Sequence, residues 1–315
     1  MSEFGLIAQI KEMFSSLPSN GFEGIGDDCA VLDIGGGESL VFTTDALTEE
    51  VHFLRSASTP FEIGRKSLAV NLSDVAAMGA APVATLLSLS LPADACGVWA
   101  EEFMRGYHDL SRRCGVMLVG GDTTSSHSGI TINVTAIGRV RNENIKRRSA
   151  ALAGDVVMVC GPLGGSAEGL RDILAGKNDT PFAAVHLNPD PRIREGLWLG
   201  ARGEVHAMMD LSDGLASDLG HILEASGVAA EIETRLIPCV SDVATAVCGG
   251  EDYKLLFTAE ASSERRLCEE FLSAFGYAPT VVGRITAASS PSECRIRWTE
   301  NGRPVTPDWR GFTHF

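Results

Sequence analysis

Basic residues are scarce in this chain. Twenty-six Lys and Arg stand against 41 Asp and Glu in 315 residues, a formal net charge of −15. Nucleic acid and anionic membrane both require positive surface, so the charge balance argues against either as a partner. Of eight cysteines none forms a CxxC pair, and no regular spacing links them. Cys160, inside DVVMVCG, reads as a small core residue. Such usage argues against a disulfide scaffold and predicts a reducing, cytoplasmic setting. The opening MSEFGLIAQIKEMF lacks the basic start and apolar run of a secretory signal; Phe4, Ile7, Ile10 and Phe14 follow helical spacing instead.

The familiar nucleotide signatures are missing as well. The chain has no G-x-x-x-x-G-K-[ST] and no kinase glycine-loop set, so neither of those ATP folds is expected. It also lacks the D-x-D-x-D-G of a calcium-sensing hand. One uncharged run, Val75 to Ala93, is long enough to suggest a membrane span. Pro82 splits it, and the halves read as the end of a helix and a buried strand, VATLLSLSL.

With 44% hydrophobic and 21% charged residues, the chain has the composition of a globular protein, and its length suggests two domains. A hairpin is expected from AVLDI and SLVFTTD around Gly35-Gly36-Gly37. A helix follows from Pro60 to Met78, with Ser58 and Thr59 as candidate caps. Next come VATLLSLSL, a helix through WAEEFMRGYHDLSRRCG, and strands VMLVGGD and ITINVTAIGRV. The polar, basic RNENIKRRSAALAGD reads as a connection. A second alternation begins at DVVMVCG, with helices in SAEGLRDILAG, RIREGLWLGARG and ASDLGHILEAS and strands in AMMDLS, KLLFTAE and TVVGRI. Both halves mix strands with helices, which predicts two α/β (α+β) lobes, 1–140 and 150–315.

Carboxylates recur at the ends of these elements. Asp27 and Asp28 precede the first long strand, Asp45 ends VFTTD, Asp122 ends VMLVGGD, Asp210 and Asp213 close MMDLSD, and Asp74 lies near a helix end. Hydroxyls stand beside them: Thr43, Thr44, Thr123 and Ser212. A single Asp in such a place is commonly a cap or a solvated turn. If these converge, the electrostatics decide. Two carboxylates ~4 Å apart repel by roughly 4 kcal/mol at an effective dielectric of 20, so the group requires cations. Oxygen-only ligation points to Mg2+ or Ca2+, and Mg2+ suits phosphate chemistry. Gly161-Pro-Leu-Gly164-Gly165-Ser166 offers amides to a phosphate or forms a plain turn. Arg147 and Arg148 offer phosphate contacts or belong to a basic connection, and Gly120-Gly121 would let a ligand approach the backbone.

Taken in order, GIGDDCAVL, FTTD, VHF, LAVNLSDVAAMGA, VGGDTT, DLSDGLASDLGHI, GGEDYKLLF and DWRGFTHF resemble the thiamine-monophosphate kinase family, over almost the whole chain. The wider superfamily includes aminoimidazole ribonucleotide synthetase and selenophosphate synthetase. The resemblance implies an N-terminal domain whose sheet pairs with a second subunit's into a barrel, hence a homodimer, and a C-terminal α/β domain over the ATP. By resemblance Asp28, Thr43, Thr44, Asp45, Asp74, Asp122, Asp210 and Asp213 bind Mg2+. Gly121, Asp122, Arg148 and Ser212 would contact ATP; His52, Glu251 and Trp309 would contact thiamine monophosphate. The role of Asp27 is open. Lys254 departs from the acidic residue expected after GEDY, and Cys248 from a common serine. Selenophosphate synthetase is disfavoured, because no reactive Cys with a neighbouring Lys precedes the Asp pair. The implied reaction transfers phosphate from ATP to thiamine monophosphate without a general base; the alternatives are another ATP-using superfamily activity, a Mg2+-dependent phosphohydrolase and a metal-stabilised nucleotide sensor.

Overall fold

The computed structural model describes residues 3–312 of the chain. Thr313, His314 and Phe315 of the closing DWRGFTHF lie outside the described residues. Helix α1 (Glu3–Phe14) has no buried residue and is followed by a short strand, β1 (Phe22–Glu23). β2 (Ala30–Gly35) and β3 (Glu38–Thr48) form the expected hairpin. α2 (Pro60–Ala77) starts where its caps indicate. Thr59 Oγ1 accepts the Glu62 amide while the Glu62 carboxylate accepts the Thr59 amide, which satisfies two helix-end donors at once. β4 (Ala81–Leu91), α3 (Val98–Cys114), β5 (Met117–Ser125) and β6 (Thr131–Arg141) complete this half.

The first sheet has the order β1-β2-β3-β6-β4-β5, and only β4 and β5 run parallel. α2 and α3 cover one face, packing Leu68, Leu72, Phe103 and Tyr107 onto Val41, Ile132 and Val134. The two helices touch through glycine: a Cβ on Gly64 would lie 2.1 Å from the Phe103 carbonyl oxygen. On the opposite side and along the β5 edge, Leu86, Met117 and Val119 stay exposed.

The second half contains β7 (Val156–Val159), α4 (Gly165–Leu174), α5 (Pro181–Leu187), α6 (Ile193–Gly200), β8 (Val205–Asp210) and α7 (Leu215–Ser226). It continues with β9 (Val228–Glu233), α8 (Val243–Cys248), β10 (Leu255–Ala259), α9 (Glu264–Phe275), β11 (Thr280–Ala287), β12 (Ile296–Glu300) and β13 (Arg303–Val305). α5, α8, α9, β9, β12 and β13 are not among the elements expected from sequence. The strands form one sheet in the order β13-β12-β9-β11-β7-β10-β8, and helices lie on both faces. Val157 and Val159 pack with Leu215 and Leu219 on one side, while Val156 and Met158 pack with Leu267 and Phe271 on the other.

The stretch between the sheets is not a loose linker. Lys146 is buried there and donates to the Arg202 and Val205 carbonyls at 2.8 and 2.7 Å. The uncharged run 75–93 turns from α2 into β4, and among the described residues no helix is long and apolar enough to cross a membrane.

Candidate active site

The carboxylates meet where the two halves face each other. Asp28 sits in the bend before β2, Asp74 in the last turn of α2, and Asp210 at the end of β8. Each brings one oxygen within 4.8 Å of the other two. Neighbouring hydroxyls orient them: Thr43 Oγ1 donates to Asp74 and Ser73 Oγ donates to Asp210. Asp45, on β3, receives its place from Asn71 of α2, whose amide oxygen accepts the Asp45 N–H at 3.0 Å. Asp213 follows β8, and its loop is held by the buried Asp218, whose carboxylate accepts the Asp213 and Gly214 amides.

Burial and mutual repulsion both disfavour ionisation here. Asp210 is pushed up to about 8 by burial and then by Asp28. Asp45 rises to about 6 through burial, Asp213 and Asp28. Asp74 is raised well above the usual range by burial and then by Asp45, Asp210 and Asp28. Asp27 rises to about 7 through burial and Asp28, although the Arg148 amide donates to its carboxylate. The Arg148 guanidinium donates to Asp28 Oδ1 at 2.6 Å, and the other oxygen, Oδ2, is buried without a hydrogen-bond partner. An all-carboxylate donor set with an unsatisfied buried oxygen fits a hard divalent cation.

A cavity of about 950 Å³ opens from this cluster. Asp45, Asp74 and Asp213 line one end, with Ser212 and Phe312 beside them. At the other end His52, Lys66, His186 and Glu251 are tied together by hydrogen bonds and ion pairs, and the lining also includes the apolar Phe53, Ile63 and Leu170. Burial opposes ionisation of Glu251, but Lys66, then His186 and His52, more than offset it and hold its pKa below the usual value. His186 is pushed down to about 4 by burial and by Lys66, so its ring is neutral at physiological pH. Lys66 and His186 are not among the residues expected from sequence. One signal for Lys66 exists: Lys66, Val70 and Asp74 are spaced i, i+4, i+8 and share a helix face.

Several expected residues lie elsewhere. Thr44 is a partial case: it lines the cavity beside Asp45, but strand alternation turns its side chain the other way, and Oγ1 donates to the Val134 carbonyl. Asp122 is exposed on β5, in register with Ser88, Asn133 and Ala46 across β4, β6 and β3. Three strand spacings, ~14 Å, separate it from Asp45's strand. Gly121 is needed for packing, since a Cβ there would lie 1.8 Å from the Leu87 carbonyl oxygen. Trp309 packs edge-on against Trp298 at 5.0 Å and does not line the cavity, whereas Phe312 does. The glycine-rich loop is already engaged: Asp252 accepts the Gly164 and Ser166 amides at 2.6 and 3.0 Å. Cys248 lines the cavity, and Lys254 does not. Arg147 forms a two-pronged ion pair with Glu23.

Two α/β halves meeting at a shared acidic cluster define a class. Residues 26–140 match the AIR synthase related protein N-terminal domain, and residues 153–293 match its C-terminal domain. The chain belongs to the thiamine-monophosphate kinase family within that class. It is 38% identical to the thiamine-monophosphate kinase of Escherichia coli K12, over 99% of this chain and 98% of that one. A solved structure described as AaThiL complexed with AMPPCP and TMP superposes with a TM-score of 0.85 at 33% identity, covering 100% of this chain and 97% of that one. The thiamine-monophosphate kinase of Stenotrophomonas maltophilia K279a superposes with a TM-score of 0.75 at 35% identity, covering 97% and 98%.

Proposed function

We propose that this chain transfers a phosphoryl group from ATP to thiamine monophosphate, giving thiamine diphosphate and ADP. The observation that carries the reading is the coincidence of full-length similarity with one cavity lined both by the acidic cluster and by the half-buried, ion-paired Glu251. Asp28, Asp45, Asp74, Asp210 and Asp213 would hold Mg2+, with Thr43 orienting Asp74. Arg148 and Ser212 lie on the nucleotide side; His52 and Glu251 lie at the organic end. A thiazolium cation and a flat pyrimidine suit an apolar pocket that ends in an ionised carboxylate. Trp309 would act indirectly, by bracing the segment that carries Phe312, whose amide donates to the Asp213 carbonyl.

The acceptor needs no general base. A phosphate monoester with its second pKa near ~6 is largely dianionic at neutral pH. The work left is to hold two anions in line and to shield their repulsion. Bound Mg2+ would supply that shielding. The residues of the cavity orient the acceptor and exclude water, which disfavours hydrolysis.

The dimer belongs to this reading. The helix-free face and free β5 edge of the first sheet suit a second copy of the chain. Asp122 lies too far from Asp45 in its own subunit to share a cation with it, so it would reach the cluster of the other copy. The free thiols suit a cytoplasmic setting.

The test is ADP release with and without thiamine monophosphate. Release that depends on the acceptor, with stoichiometric thiamine diphosphate and no free phosphate, is the expected result. Free phosphate from ATP alone would identify a phosphohydrolase, and ATP binding without turnover a sensor.

A further inference from the structure

The cavity lining includes a cation that no expected role uses. Lys66 is 3% exposed, and its ammonium has three acceptors: Glu251 Oε2 at 3.0 Å, the His52 carbonyl at 3.3 Å and His186 Nε2 at 3.5 Å. An ammonium has three protons, so this set saturates it. His186 meets the geometry as the tautomer that carries its proton on Nδ1. That nitrogen lies 2.9 Å from Ser166 Oγ and 3.3 Å from Glu251 Oε2. Glu251 itself has φ +62°, a left-handed conformation that costs a side-chain-bearing residue energy. Its amide is held by the Ser212 carbonyl at 2.7 Å. Something must fix the carboxylate that this backbone presents.

We propose that Lys66 is the positioning residue of the organic-cation end of the site. Its buried ammonium holds the Glu251 carboxylate and the His52 loop in one arrangement across the two halves of the chain. The inference rests on the function proposed above. A cation whose protons are all engaged is a poor direct ligand for phosphate, so Lys66 acts through Glu251. Other groups face Glu251 too: His186 from α5, His52 from the loop after β3, and Tyr253 two residues on. Glu62 and Arg171 line the same cavity. Lys66 both contacts the Glu251 carboxylate and reaches the His52 backbone.

The experiment is steady-state kinetics on Lys66→Met, Glu251→Gln and the double variant, with a melting curve for each. Thiamine monophosphate is varied at saturating ATP, and then the reverse. Lys66→Met should raise the KM for thiamine monophosphate roughly tenfold or more, as expected for loss of a charged hydrogen bond, and leave the KM for ATP within about twofold. It should also melt early, because the half-buried Glu251 loses its ion-pair partner and His186 Nε2 its donor. The double variant should recover melting temperature but keep the KM of Glu251→Gln alone, since Lys66 has nothing left to position. If Lys66→Met does not fold, the comparison of the double variant with Glu251→Gln decides by itself. An unchanged KM in folded Lys66→Met, or losses that multiply in the double variant, would overturn the proposal. Wild-type protein that never turns over thiamine monophosphate would overturn the proposed function instead.

Discussion

The two sheets of this chain are treated differently. In the second, β7 and β10 are buried at every position, because helices cover both faces. Their sequences, VVMV and LLFTA, are accordingly near-continuous apolar runs. In the first sheet, β6 alternates buried and more exposed residues along its whole length, and β5 has no buried residue. One face is packed and the other is left open. The second sheet is covered on both faces within the chain, whereas the first leaves one face, the β5 edge and the acidic Asp122 exposed. The acidic cluster lies between them, drawing Asp28, Asp45 and Asp74 from the first half and Asp210 and Asp213 from the second.

The sharpest way to break this contrast is to separate the two kinds of acid. Asp45→Asn and Asp122→Asn should each lower kcat/KM by at least ~100-fold, since each removes a proposed ligand of the Mg2+ that would shield the transferring phosphates. Mixed and refolded together, they should recover about a quarter of wild-type activity, because half of randomly assorted dimers would carry one intact site of two. No recovery from the mixture would show that Asp122 does not act across subunits.

Stability should divide along the same line. Phe257 is fully buried on β10, and Phe257→Ala should cost about 3–5 kcal/mol in urea unfolding. Val119 is 58% exposed, and Val119→Asp should change the stability of the separated chain by no more than about 0.5 kcal/mol. The same change should shift sedimentation from dimer to monomer. A Val119→Asp protein that unfolds as readily as Phe257→Ala would mean that β5 is covered within its own subunit.

The smallest effect expected is that of pH on the metal-free protein. Asp210 and Asp27, at about 8 and about 7, titrate far above an unfolded Asp at ~3.9, so between these values the folded state binds more protons. Stability then falls as pH rises. His186 has the opposite sign: its folded value of about 4 lies below an unfolded ~6.5, and its contribution is lost as pH falls through that interval. The clean window is therefore pH 6.5 to 8, where the melting temperature should drop with rising pH and Mg2+ should restore it. A melting temperature that rises across this window without metal would contradict the crowding of the carboxylates.

Much of the site could be read from local pattern. The Thr59 cap and the Asp27-Asp28 pair before a strand follow from spacing and from the chemistry of turns and caps. The resemblance added roles, and it added them one residue at a time. Strand periodicity qualifies one of these, because Thr43, Thr44 and Asp45 cannot all point to the same face.

By itself, the sequence determined the two mixed lobes, the acidic character of the site and the strand ends that carry it, because helix, strand and cap preferences act within a few residues. Tertiary structure alone decided three further matters. The order β3-β6-β4-β5 puts two strands between Asp45 and Asp122, although the FTTD and GGD motifs look equivalent in the chain. Asp252 folds back onto the Gly164 and Ser166 amides and takes a place that a phosphate would otherwise suit. Lys66 finds Glu251 185 residues away. Such pairings depend on which surfaces come together when both cores close, and burial then makes an unpaired charge too costly to leave.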